Sequence, residues 1–462
     1  MNLSEYINTI KDKKIGVIGI GISNIPLIRL LSFSGVDVTA LDAHSIDELG
    51  ADAFELLSIG VKLKLGKDYL DNLDYDVIFR TPGLMPFDEH LVRAEENGAI
   101  VTSEMEVFFK VCPCRIIAVT GSDGKTTTTT IISELLKAAG YAVHLGGNIG
   151  HPLLCDSPFM NKDDVAVLEL SSFQLHSMDC HPNISVITNI SPNHLDKHKD
   201  YQDYITAKKS VFNKQNGDDI LVLNADDELV SSFKDEAESK IRFFGMEKGN
   251  SDGVYSYGGS VYRLSGGIEK KILDVSEILL PGEHNVKNYI AAFAATDGLV
   301  NDGICKSVAA SFKGVEHRLE SVREVNGVKY INDSIGSSPS RTIAGLKSFS
   351  NKPVIILGGY DKKIPFDSLG EEVCNRAKAA VITGDTAMKI KAAIENAPGY
   401  NSAVSEGFKL YLVDEFDEAV NKAREIAKIG DTVLFSPACA SFDHFKNFEE
   451  RGNHFKKLVM EF

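Results

Sequence analysis

One stretch constrains this chain more than any other: residues 118–136, AVTGSDGKTTTTTIISELL, entered from Arg115-Ile116-Ile117. The apolar run RIIAVT reads as a buried strand. It passes through Gly121-Ser122-Asp123-Gly124-Lys125-Thr126 straight into an amphipathic helix. A strand, a glycine turn and a helix start in that order aim several backbone N–H groups at one point, which favours an anion such as a phosphate. The spacing is Gly-x-x-Gly-Lys-Thr, shorter than the usual phosphate loop with its four-residue interval. A glycine turn with a solvated lysine would account for the glycines but not for the order Gly-Lys-Thr. In a nucleotide site Lys125 reaches the terminal phosphates and the Thr126 hydroxyl helps to ligate Mg²⁺.

At 462 residues the chain is too long for one ordinary core, and about three domains of roughly 150 residues are expected. A hydrophobic content of 43% and a charged content of 25% are those of a soluble globular protein. No apolar run reaches membrane-span length, and MNLSEYINTIKDKK has no apolar core followed by a cleavage site, so the cytoplasm is the expected compartment. The net charge of -16 argues against a nucleic-acid or membrane partner, and anionic substrates would need local basic pockets. Seven scattered cysteines fit a reducing compartment. Cys112-Pro113-Cys114 lacks a second ligand pair and reads as a turn at a strand edge rather than a zinc site.

The N-terminal stretch alternates strand and helix: KKIGVIGIG, then ISNIPLIRLLSFSG ending at Gly35, then VDVTALD ending in Asp42. This is a Rossmann-like start. Gly19 and Gly21 keep part of the dinucleotide fingerprint, Asn24 replaces its third glycine, and Asp42 falls near the ribose-binding position. Thr81-Pro82-Gly83 is a tight turn after the strand YDVIFR, either a plain loop or part of a ligand-binding edge. A new alternation begins between Glu104 and Cys114. Its strands include AVLEL, ISVITNI and DILVLN, with GVYSYGGSVYRLSGGIEKKILDV as antiparallel ribbon and a helix from about Asn285 to Leu299. From about Val315 a third α/β unit follows, with strands VKYIND, PVIILGG, AAVITG, LYLVDE and DTVLFS.

Three side chains in the middle carry chemistry. Glu169 ends an apolar strand, where a lone carboxylate is costly unless it meets a cation or donors, and a metal ion is the economical partner. His194 follows the next strand, on the same rim as the phosphate loop. His194 and His198 lack the further ligands of a zinc site, and hard Mg²⁺ with one imidazole suits the set better. On the helix from Tyr201, the apolar positions Tyr201, Tyr204, Ile205, Val211 and Phe212 put Lys208 on the inner face and Lys209 outside. Either Lys208 snorkels along its stem, or it is a buried, neutral amine that CO₂ can carbamylate into an anionic metal ligand.

Taken together, GSDGKTT, GGNIG, LELSSFQL, NISPNHLDKH, YITAKK, GEHNVKN, EHRLE, NDS, LGG and SPACASFDHFKNFEERG resemble the ATP-dependent Mur ligases. The likeness is colinear over nearly the whole chain and is strongest to the branch that adds D-glutamate. It implies an α/β protein of three domains: a Rossmann-like domain at 1–104 for the UDP end of the substrate, a central ATP-binding domain at 105–314 with a parallel sheet and a small antiparallel part, and a Rossmann-like domain at 315–462 for D-glutamate. The implied reaction joins D-glutamate to UDP-N-acetylmuramoyl-L-alanine for peptidoglycan precursor synthesis, by way of an acyl phosphate, with release of ADP and phosphate. ATP and two Mg²⁺ ions are the implied cofactors, Lys208 is carbamylated, and a monomer is expected.

The same resemblance distributes roles. Gly121, Ser122, Asp123, Gly124, Lys125, Thr126 and Thr127 hold ATP, with Asn288 at the adenine and Arg318 and Asp333 from the third domain. Thr126, Glu169, His194 and Lys208 serve the metal ions, and Asn148 contacts the substrate beside them. Gly19, Gly21, Asp42, Thr81, Pro82 and Gly83 surround the uridine diphosphate. Lys362, Ser441, Phe442 and Phe448 hold D-glutamate. A plainer reading of SPACASFDHFKNFEERG is a strand-to-helix transition capped by Ser441.

Two positions depart from the family. Ile335 stands in Asp333-Ser334-Ile335-Gly336-Ser337 where members commonly read Asp-Ser-Lys-Ala-Thr, and Arg341 on the following helix is the candidate to supply the missing charge. Asp123 stands where asparagine is usual. Other readings are weaker. A ligase adding L-alanine or a diamino acid, or a folate-glutamate ligase, fits the C-terminal stretch less well. A dehydrogenase leaves the phosphate loop and Lys208 unexplained, and a non-catalytic nucleotide-binding protein leaves Glu169, His194 and Lys208 without a task.

Overall fold

The computed structural model describes residues 1–192, 197–361 and 364–462. The chain divides into two compact units, 1–312 and 313–462. Among the described residues the first unit holds two sheets and the second holds one.

The N-terminal sheet consists of β1 (Lys14–Ile18), β2 (Asp37–Asp42), β3 (Lys62–Leu65), β4 (Val77–Phe79) and β5 (Ile100–Thr102), all parallel, in the order β3-β2-β1-β4-β5. The strand order reverses between β1 and β4. Such a switch point opens a crevice at the carboxyl ends of the strands, where α/β sheets take ligands. The helix between β1 and β2 runs Ile25–Phe33, and Gly35 just beyond it adopts φ +76°, the left-handed turn that ends the helix.

The central sheet contains β6 (Arg115–Thr120), β7 (Val143–Gly147), β8 (Val165–Glu169), β9 (Ile184–Ile187), β10 (Ile220–Asn224), β11 (Lys240–Gly245), β12 (Gly253–Tyr257), β13 (Ser260–Ser265) and β14 (Ile268–Asp274). Their order is β14-β13-β12-β11-β10-β9-β6-β8-β7. From β7 to β12 the pairings are parallel, while β13 and β14 join as an antiparallel ribbon. The ribbon is where the sequence places it, except that its first strand continues the parallel sheet through β11. Strand β6 is buried on both faces: Ile116 and Ala118 pack into a core shared with the N-terminal sheet, and Ile117 and Val119 pack beneath the helices Lys125–Ala138 and Glu283–Ala295. That two-sided burial is why RIIAVT has no polar alternation.

The second unit is built on β15 (Glu320–Val325), β16 (Val328–Asn332), β17 (Val354–Gly358), β18 (Ala379–Thr383), β19 (Lys409–Leu412) and β20 (Thr432–Phe435), ordered β15-β16-β20-β17-β18-β19. Only β15 runs antiparallel among these described strands. The sequence reading omits it, although its residues ESVREV alternate polar and apolar as an edge strand does and Asn326-Gly327, at φ +51° and φ +74°, is the hairpin dipeptide that joins it to β16. Cores on both faces of β17, around Ile355 and Leu357 on one side and Val354 and Ile356 on the other, make this a doubly covered α/β layer. No helix among the described residues is long and apolar enough to cross a membrane.

Candidate active site

The phosphate loop is shaped by two glycines that nothing else can replace. Gly121 has φ +144° and a Cβ there would lie 1.9 Å from Thr188 Oγ1; Gly124 has φ +79° and a Cβ would lie 2.4 Å from Asn288 Oδ1. The helix Lys125–Ala138 opens without a side-chain cap from Gly124, and a helix N-terminus of this kind favours an anion. The loop is clamped from the end of β9. Asn189 Nδ2 donates to the Asp123 carbonyl at 3.0 Å while Asn189 Oδ1 accepts from Asp123 N–H at 2.9 Å, and the Thr188 hydroxyl donates to the same carbonyl at 2.6 Å. Ser122 Oγ accepts from Ser191 N–H and sits 2.9 Å from the Tyr204 hydroxyl. Lys125 Nζ donates to the carbonyls of Gly121 and Ser122, both at 2.9 Å.

Glu169 is 2% exposed at the end of β8. Its Oε1 accepts from Asn148 Nδ2 at 2.8 Å, and its Oε2 is buried with no partner among the described residues. A buried, unpartnered carboxylate oxygen costs kcal/mol on the order of several unless a cation meets it, so the site fits a hard metal ion. Asn148 is brought alongside by its own backbone, whose N–H donates to the Glu169 carbonyl at 2.8 Å. Thr126 and Thr127 stand in the first turn of the loop's helix, and Asn288 reaches that helix through the Thr128 hydroxyl at 3.3 Å.

Lys208 faces inward, as the helical period requires. It is 1% exposed, and its Nζ donates to the Gly121 carbonyl at 2.7 Å and lies 4.6 Å from the centre of the Tyr204 ring. Burial, then the nearby Lys125 charge, pushes its amine well below the ordinary lysine range, against the pull of Asp123 and Glu169. Lys209 instead turns outward to pair with Glu236. His194 and Lys362 lie outside the described residues. The thiols of Cys112 and Cys114 lie 3.4 Å apart, in a turn between the helix Glu104–Val111 and β6.

At the switch point of the first sheet, Gly19 (φ +95°) packs against Thr81: a Cβ would be 3.1 Å from the Thr81 Cβ. The turns after β1 and β4 are therefore in contact, with Gly21 open and Pro82 and Gly83 beyond. Asp42 accepts from Ile20 N–H at 2.7 Å and from His44, so part of its work is to hold the glycine turn. Asn24, in place of the third glycine, donates to the carbonyls of Ile18 and Gly19 and ties the turn from inside.

In the second unit Asp333 is 5% exposed, accepts from Ser436 Oγ at 2.6 Å and from Leu319 N–H at 3.2 Å, and burial pushes its carboxyl up to about 6. Arg318 is exposed between His317 and Leu319, which both adopt the left-handed region at φ +61° and φ +44°. Arg341 Nη1 donates to the Ile335 carbonyl at 3.2 Å and its charge pulls the Asp333 carboxyl down. Ser441 is 2% exposed, Phe442 is 62% exposed, and Phe448 packs its ring edge to face on His317. The cap on this stretch needs correcting: the helix runs Phe448–Met460 and Asn447, not Ser441, caps it by accepting from Glu450 N–H. The chain between them turns through Ala438, at φ +61°, and stays irregular. The sequence reading omits Arg451: buried to 2% exposure, it donates to the carbonyls of Ser334, Cys439 and Ala440 and to Ser334 Oγ, so it ties the stretch just before Ser441 to the turn at Ser334. The quoted FEERG contains it, but its reach to Ser334, more than a hundred positions away, leaves no local signal.

Comparison with known proteins matches residues 119–296 to the Mur ligase middle domain and residues 317–439 to the Mur ligase glutamate ligase domain. The chain is 48% identical over 459 residues, 99% of both chains, to the UDP-N-acetylmuramoylalanine--D-glutamate ligase of Clostridium botulinum (strain Okra / Type B1). It is 47% identical over 458 residues to the ligase of the same name from Acetivibrio thermocellus, covering 99% of this chain and 98% of that one. Its fold is similar to the solved UDP-N-acetylmuramate-alanine ligase of Thermotoga maritima, with a TM-score of 0.56 at 20% identity, over 97% of this chain and 99% of that one. A pseudomurein peptide ligase of Methanothermus fervidus gives a TM-score of 0.51 at 20% identity, over 97% and 100%. With both domain matches and near-complete coverage at close to half identity, the chain belongs to the Mur ligase family.

Proposed function

We propose that this protein joins D-glutamate to UDP-N-acetylmuramoyl-L-alanine at the expense of ATP, in peptidoglycan precursor synthesis. The near-complete match to relatives named for that reaction supports it, and the observation that carries the chemistry is the convergence of Lys125, Lys208 and Glu169 on the phosphate loop. The proposed domains are 1–104 for the UDP end, 105–314 for ATP and 315–462 for D-glutamate. The protein works as a monomer in the cytoplasm.

The substrate carboxylate is a poor electrophile. Its oxygen attacks the γ-phosphorus of ATP, ADP leaves, and the resulting acyl phosphate is attacked by the D-glutamate amine. A tetrahedral intermediate then collapses with loss of phosphate. Lys125 leaves the loop carbonyls to meet the transferring phosphate, and the N-terminus of the helix Lys125–Ala138 faces the phosphate chain. Asn148 orients Glu169 and meets the substrate, while Gly19, Gly21, Asp42, Thr81, Pro82 and Gly83 seat the uridine diphosphate. Asn288 contacts the adenine, and Arg318 and Asp333 contact ATP. Lys362, Ser441, Phe442 and Phe448 form the D-glutamate pocket, and Arg341 takes the place of the lysine that Ile335 replaces.

Thr126, Glu169, His194 and carbamylated Lys208 would hold two Mg²⁺ ions. Bound there, they supply neutralisation of the charge on the phosphates and on the acyl phosphate. The neutral Lys208 amine attacks CO₂ through its lone pair, a carbon–oxygen π pair moves to oxygen, and the nitrogen proton goes to solvent. Burial makes this possible, since an ammonium has no lone pair to give. The test is isotopic: with ¹⁸O in the substrate carboxylate, label should appear in the released phosphate. Unlabelled phosphate would rule out the acyl phosphate.

A further inference from the structure

Asp203 stands in the first turn of the helix Tyr201–Lys209. Its carboxylate is met from two sides. His176 Nε2 lies 2.9 Å from Oδ1 and 3.1 Å from Oδ2, and His198 Nδ1 lies 2.9 Å from Oδ2. The Lys199 N–H adds a donor at 3.3 Å. His198 is buried and its Nε2 is 2.9 Å from Ser172 Oγ, while its ring stacks between those of Phe173 and His176 at 5.5 and 5.7 Å.

The three bridged side chains come from three segments. His176 and Ser172 follow β8, which ends in Glu169; His198 follows His194 in sequence; Asp203 begins the helix that carries Lys208. Each segment thus bears one residue of the proposed metal set. A helix of nine residues has little stability of its own, so its placement must come from tertiary anchors. At its N-terminal end those anchors are the Asp203 carboxylate and two hydroxyls, that of Tyr201, which donates to the Ile190 carbonyl at 3.3 Å, and that of Tyr204, 2.9 Å from Ser122 Oγ. The same atoms could be read as a metal site, since the three ligand atoms lie within 4.8 Å of one another. The protons argue otherwise. With Nε2–H of His176 given to Asp203, the Nδ1 that is buried without a partner among the described residues is only an idle acceptor. Metal at Nε2 would move the proton to Nδ1 and bury an unpaired donor, which costs more.

We propose that Asp203 is a positioning residue: bridged to His176 and His198, it fixes the Lys208 helix against the segments bearing Glu169 and His194, and so sets how readily Lys208 holds its carbamate. This rests on the reading of Lys208 given above. An Asp203→Asn side chain cannot accept from both rings as a carboxylate does.

The test is ¹³C NMR of the full-length protein with Mg²⁺ and labelled bicarbonate. The wild type should show a carbamate signal, and Asp203→Asn should need about tenfold more bicarbonate for half-occupancy, the equivalent of one lost charge-assisted hydrogen bond. Should Asp203→Asn fail to fold, His176→Phe keeps a ring and removes one donor, and should shift the requirement the same way. An unchanged bicarbonate requirement in a folded variant overturns the positioning role while leaving the carbamate standing. No carbamate in the wild type overturns both. Stoichiometric zinc on the wild type, lost in His176→Phe, would overturn it in favour of a metal site.

Discussion

The amines of Lys125 and Lys208 share one acceptor, the carbonyl oxygen of Gly121, at 2.9 and 2.7 Å. Two ammonium groups on one oxygen repel, and the buried one yields: Lys208 is pushed down first by burial and second by the Lys125 charge. A lowered lysine pKa enlarges the neutral fraction at any given pH, which favours carbamylation. Lys125→Met removes the second cause, so the Lys208 pKa rises and the pH at which the carbamate appears should move upward. Labelled-bicarbonate NMR against pH checks this, and an unmoved onset would mean that burial alone sets the amine.

Lys208→Ala should abolish turnover, and short carboxylates such as formate should restore part of it by occupying the place of the carbamate. Lys208→Arg should not be rescued, because a guanidinium keeps its charge and fills the space. Steady-state phosphate release with and without formate gives the answer.

Several of these relationships were legible in the sequence because they are local. The order Gly-Lys-Thr after an apolar strand, the helical period that turns Lys208 inward, and the strand-end position of Glu169 each follow from a few neighbouring residues. What was not legible depends on distant contacts. Asn189 clamping Asp123, Arg451 bracing Ser334 and the His176–Asp203–His198 bridge each join segments whose spacing carries no periodic signal. The cap was misassigned to Ser441 for a related reason: serine after a strand is a helix-start signal, but Ala438 in a left-handed turn keeps the chain irregular until Asn447.

Asp123 puts an exposed carboxylate on the phosphate loop. Repulsion between this charge and the triphosphate should weaken ATP, and Asp123→Asn should lower the KM for ATP by about two- to fivefold, the worth of one exposed charge pair, and less at high salt. A KM that rises would show that Asp123 serves the site in another way.

Arg341 donates to the Ile335 carbonyl beside Asp333. If it supplies the charge that the family lysine supplies elsewhere, Arg341→Ala should lower kcat by about tenfold or more. Unchanged kinetics would leave the position of Ile335 without a substitute.

The Asp333 carboxyl is raised to about 6, mainly by burial, so the folded protein binds its proton more tightly than the unfolded chain does. Its contribution to stability is therefore fully present below the unfolded pKa of about 3.9 and is lost as pH rises to about 6. Asp333→Asn removes that dependence. The stability difference, variant minus wild type, should become more favourable to the variant between about pH 4 and pH 7, by ~3 kcal/mol at most. Denaturant unfolding across that window measures it, and a flat difference would contradict the raised pKa.

The central claim is tested most directly by phosphate release from Mg·ATP with UDP-N-acetylmuramoyl-L-alanine, comparing D-glutamate, L-glutamate, a diamino acid and no amino acid. Turnover with D-glutamate alone is the expected result. Turnover with a diamino acid instead, or equally without any amino acid, would contradict it.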